Sequence, residues 1–89
     1  MRTTKPHNTF QLVIETTPIY RTIKILLIPG DIHSESVRIW QSFQNSTYQT
    51  PVINWPAMGT VSIEMARRVA QAIDEAAAIA ASIDDWFEE

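Results

Sequence analysis

The 89-residue chain predicts a single α+β domain, a four-stranded antiparallel β-sheet (meander) followed by one long C-terminal α-helix packed on it. Three observations lead there. Across residues 9–55 apolar and polar side chains alternate with a period of two in short runs separated by turn residues. Residues 62–87 instead carry apolar side chains at helical spacing, with no glycine or proline among them. The first connection, Thr16-Thr17-Pro18, is short enough for a hairpin, which makes its two strands antiparallel.

Residues 1–8 show neither period and are expected to be a mobile N-terminus. In the first strand Phe10, Leu12 and Ile14 alternate with Gln11, Val13 and Glu15. The second, residues 19–28, sets Ile19, Ile23, Ile25 and Leu27 against Tyr20, Thr22 and Lys24, until Leu26 and Ile28 make both sides apolar. That far end is expected to be buried on both faces. Pro29-Gly30 suits the centre of a type II turn and ends the strand. The third strand, residues 36–43, sets Val37, Ile39 and Phe43 against Arg38, Trp40 and Ser42, and residues 44–47 turn the chain. Residues 48–55 form a fourth strand that Pro51, lacking an amide donor, pushes to an edge or splits.

The helix starts at Ser62, whose hydroxyl can accept from a first-turn amide, with Glu64 at the positive end of the dipole. Its apolar face carries Met65, Val69, Ala72, Ile73, Ala76, Ala80, Ile83 and Phe87. Arg67 and Arg68 fall on the polar side, where pairing with Glu64 and solubility are their expected roles. A second column, Ala66, Ala70, Ala77 and Ala81, either lies over the sheet or forms a helix-to-helix seam between two copies. At the far end Asp84, Asp85, Glu88 and Glu89 stand beside the negative end of the dipole, where cations are favoured. Either this tail frays, or Trp86 and Phe87 anchor it to a basic partner surface.

One helix covers a strip about 10 Å wide, whereas four strands spaced about 4.8 Å apart span nearly twice that. A homodimer is therefore expected, the second copy covering what one helix leaves bare.

Composition removes several classes of chemistry. With no cysteine there is no disulfide framework, thiolate metal site or thiol nucleophile, and two glycines cannot build a phosphate-cradling loop. Net charge of −3 gives no overall attraction to nucleic acid or anionic membrane. No run of about 18 apolar residues occurs, so a soluble, cytoplasmic protein without membrane association is expected. Asp31, His33 and Glu35 alternate in a way that would present two carboxylates and an imidazole together, but polar residues after a Pro-Gly turn need no more than a solvated loop to explain them. No catalytic residue, metal or cofactor is expected, and the chain is not expected to be an enzyme.

Tyr20, Thr22 and Lys24 of the second strand and Arg38 and Trp40 of the third can share a face, with aromatic rings for stacking and cations for phosphate. Val37-Arg38-Ile39-Trp40, followed after a turn by Gly59-Thr60-Val61-Ser62, resembles the last strands and helix entry of the positive-cofactor-type single-stranded DNA binders, and more distantly Whirly proteins. That resemblance implies a dimer with paired helices and a sheet that takes single strands.

Two functions follow as expectations. The first is a non-enzymatic binding module, a small acidic homodimeric protein-interaction or inhibitor protein: a regulator, a complex subunit or a phage-type anti-defence inhibitor. Its partner would bring a basic surface to Asp84, Asp85, Trp86, Glu88 and Glu89, with Trp55 and Met58 either plugging the end of the fold or forming a second patch. The alternative is a single-stranded nucleic-acid-binding protein using Tyr20, Lys24, Arg38 and Trp40.

Overall fold

A computed structural model describes residues 1–31, 33, 35–56 and 58–87. Six strands precede the helix: β1 (Arg2–His7), β2 (Phe10–Thr16), β3 (Tyr20–Leu26), β4 (Ser36–Gln44), β5 (Thr47–Tyr48) and β6 (Val52–Asn54). Helix α1 (Ile63–Ala81) and a 3₁₀ turn (Ile83–Trp86) complete the fold. The first four strands form an antiparallel meander, and β5 and β6 both pair with the outer edge of β4.

Two differences from the four-strand expectation have physical causes. The fourth strand is interrupted at Pro51, which separates β5 from β6. The N-terminal segment, expected to be mobile, instead forms an edge strand along β2, with Asn8 at a positive φ of 54° turning the hairpin. Met1 and Thr16 exchange both backbone bonds, each 2.9 Å. The ladder alternation then aims the amides of Thr3, Lys5 and His7 at β2. Pro6 falls on an outward position, where its missing amide costs no ladder bond and removes a donor from an exposed edge.

The turns follow their sequences. Gly30 has φ 84° and the Asp31 amide donates to Ile28 O at 3.2 Å, the bond and conformation of a type II turn. Asn45 and Ser46 both have positive φ, as a two-residue hairpin loop requires. Ser62 caps α1 by accepting from the Met65 amide at 3.0 Å.

Register decides which side chains meet the helix. Leu12, Ile23, Ile25, Val37 and Ile39 line up across β2, β3 and β4 and are buried under Ala72, Ala76, Ile79 and Ile83. Alanines at the contact let the helix backbone approach closely, so packing density rather than side-chain bulk holds the layers together. On the same face β1 presents Thr3, Lys5 and His7, polar groups that need no roof. Helix α1 covers the central apolar strip, while at the end of the same side Ile19 and Phe43 stay 68% and 40% exposed. The Ala66, Ala70, Ala77 and Ala81 column does not lie over the sheet: all four are exposed, nearly opposite the buried stripe.

Helix α1 stops six residues before the expected end at 87. Ser82 leaves helical geometry at φ −131°, ψ 39°, and the next residues tighten into the 3₁₀ turn that buries Ile83. Among the described residues no helix is long and apolar enough to cross a membrane.

Candidate binding face

With α1 on one side, the other face of the sheet is left to solvent and to its own side chains. The pairs Thr22↔Trp40 and Lys24↔Arg38 place these residues side by side on that face, and Tyr20 lies diagonally from Trp40. The five residues expected to share a face, Tyr20, Thr22, Lys24, Arg38 and Trp40, therefore do so. The Tyr20 and Trp40 rings are 6.3 Å apart at an interplanar angle of 32°. The Tyr20 hydroxyl donates to Glu15 Oε1 at 3.3 Å, and Arg38 Nε donates to Asn54 Oδ1 at 3.4 Å.

Towards the β3–β4 loop the face deepens into a groove of about 380 Å³, lined by Lys24, Arg38 and Asn54 on the floor and by Glu35, Trp55 and Pro56. Trp55 is 58% exposed, whereas Met58 is half-buried and packs against the core, so these two residues do not form one patch. The Pro29-Gly30 turn is tied to this face by the Gly30 amide, which donates to Gln11 Oε1 at 2.6 Å. Leu26 beside it is fully buried, as expected for that end of the strand, whereas Ile28, expected to be covered as well, lies past the end of β3 and is 50% exposed.

Thr22 lies between the ring pair and the cation pair. It is 3% exposed, and its hydroxyl has no hydrogen-bond partner. Chemically, the face offers flat rings, two adjacent cations, the carboxylates of Glu15 and Glu35, the amides of Gln11 and Asn54, and one unsatisfied hydroxyl.

The acidic tail is placed differently from the anchor reading. Arg21 faces the core from β3 and is 7% exposed. Its Nε donates to Gln41 Oε1 at 2.7 Å and its Nη2 to Asp84 Oδ1 at 2.5 Å. The guanidinium is sandwiched between the rings of Tyr48 (3.8 Å) and Phe87 (4.4 Å). Trp86 packs edge-on against His7 at 5.1 Å, with Lys5 Nζ 4.6 Å from its ring centre. Asp84, Trp86 and Phe87 thus close the fold's own end, while Asp85 is exposed and Glu88 and Glu89 lie outside the described residues.

Arg68 also departs from its expected solvated role. Its Nε donates to Leu27 O at 2.6 Å and its Nη2 to Thr9 O at 3.3 Å, and its guanidinium lies over the Phe10 ring. Arg67 is exposed, as expected. In the Asp31, His33 and Glu35 segment the His33 amide donates to Asp31 Oδ1 at 3.0 Å, a local turn bond; Ile32 and Ser34 lie outside the described residues. Among the described residues no three His, Asp or Glu side chains gather as a metal would require.

No protein-family model, curated protein or solved structure matches this chain.

The sequence does not single out Arg21 or Asn54, and it places Thr22 on the shared face without a role of its own. For Arg21 a signal exists: it sits two residues before Ile23 on the core-facing register, and a cation there demands a carboxylate, which Asp84 supplies. For Thr22 no sequence signal exists, because only the packed neighbours reveal that its hydroxyl is orphaned.

Proposed function

We propose that the chain is a non-enzymatic binding module that takes single-stranded nucleic acid on the sheet face away from α1. The observation that carries this reading is the gathering of Tyr20, Trp40, Lys24 and Arg38 on one open surface, in two adjoining pairs. Rings stack on bases whatever their sequence, each worth about 1–3 kcal/mol, and neighbouring cations take the phosphates between them. The exposed Trp55 and the Asn54 amide extend the same surface by one further ring and one hydrogen-bonding edge.

The test is fluorescence anisotropy with a labelled oligothymidine at low and at moderate salt. Binding at low salt is expected to weaken as salt rises. Trp40→Ala should weaken it about tenfold or more, and Lys24→Gln with Arg38→Gln should remove most of it. Absence of binding by the unaltered protein at low salt rejects the proposal.

A protein partner is the second reading, and one observation favours it: tryptophan, tyrosine and arginine clustered on one face are the residues that dominate protein interfaces. The partner would then sit on this face rather than on the acidic tail, because Asp84 and the two tail aromatics are engaged within the fold. Regulatory, complex-subunit and inhibitor roles belong to this second reading, whereas a homodimer is compatible with either.

A further inference from the structure

Among the described residues Thr22 Oγ1 is the buried side-chain polar atom that lacks a hydrogen-bond partner. A hydroxyl withdrawn from water and left unpaired destabilises the free fold, and an isosteric valine would avoid the penalty at a strand position that favours β-branched residues. A threonine here therefore asks for a reason outside the free fold. Its position supplies one. Thr22 faces Trp40 across one ladder and Glu15 across the other, and Tyr20 and Lys24 flank it on its own strand. Lys24 is in turn paired with Arg38. The orphan hydroxyl thus lies at the boundary between the rings and the cations, one strand step of about 6.8 Å from the Lys24–Arg38 pair.

We infer that Thr22 is a ligand-contacting residue, whose hydroxyl is completed by the sugar–phosphate backbone of a bound single strand as that backbone passes from the Lys24–Arg38 pair to the Trp40 ring. The inference rests on the open-face reading above and deepens it. Charge favours an anionic occupant at the cation end: a backbone is drawn to Lys24 and Arg38, Glu15 across the other ladder is offset by Arg2 opposite it and by the Tyr20 hydroxyl, and the oxygens the backbone brings can receive the threonine proton. Thr22 Oγ1 is shut off from solvent in the free protein, so a ligand reaches it only after the side chains around it move.

The Thr22→Val variant separates this role from a structural one because its two effects have opposite signs. Its thermal midpoint should equal or exceed that of the unaltered protein, while its affinity for labelled oligothymidine falls about five- to tenfold, the loss of one hydrogen bond. The slope of affinity against salt should stay the same, since no cation is removed, whereas Lys24→Gln should make it shallower. Thr22→Ser keeps the hydroxyl and should retain most of the affinity. If Thr22→Val binds as tightly as the unaltered protein, the contact is wrong while the open-face reading stands. A lowered thermal midpoint would show that the hydroxyl serves the fold, and overturns the inference equally. Failure of the unaltered protein to bind any oligonucleotide at low salt removes the parent reading, and this contact with it.

Discussion

Arg21 shows how one side chain on the wrong-looking face organises its neighbours. A guanidinium facing the core would be prohibitive if unpaired, and here it is met by a carboxylate, an amide oxygen and two rings. The carboxylate comes from a helix end that otherwise has too much negative charge, so the apparent defect of the tail and the apparent defect of the strand cancel. Because the Asp84 side chain is 82% exposed, solvent screens part of the pairing. Asp84→Asn should therefore lower stability by about 1–2 kcal/mol, less than for a fully buried pair. Asp85→Asn, at an exposed neighbouring position, should change it by less than about 0.5 kcal/mol. Urea unfolding midpoints of the two variants check this, and equal shifts would mean that Arg21 does not depend on Asp84.

At the scale of elements, the strands read from alternation are all present, with β2, β3 and β4 within about two residues of expectation, and the cap at Ser62 and the turn at Pro29-Gly30 are where their chemistry puts them. Those features were legible because each depends on side chains close together in sequence. Strand β1 was not, because Arg-Thr-Thr-Lys-Pro-His has no apolar alternation and its pairing is supported by partners far along the chain: His7 and Asn8 meet Glu75 at 3.1 and 2.9 Å. The early end of α1 was missed for the same reason, as Ser82 yields to Asp84 reaching Arg21. The candidate face was legible as a set of five residues, since period two dictates a shared side, but its orphan hydroxyl and its groove depend on packing. Amide hydrogen exchange tests the edge strand: Thr3, Lys5 and His7 should exchange several-fold more slowly than Arg2 and Thr4. Uniformly fast exchange over residues 2–7 would mean that the segment does not pair.

For the whole molecule, charge sets the ceiling on what the open face can hold. Net charge is −3, and the face carries Lys24, Arg38 and, at its far corner, Arg2 beside Glu15. Neutralising two or three phosphates of a single strand predicts a slope of log affinity against log salt of about −1.4 to −2.1. A much steeper slope in a salt titration would mean that cations outside this face take part. Contacts of long reach have one more consequence. Strand β1 can pair with β2 as soon as both are made, but the Glu75 that His7 meets is synthesised 68 residues later, so on the ribosome the side-chain contacts of this edge strand wait for the helix. Nascent chains arrested before residue 75 should leave β1 more open to protease than it is in the finished fold.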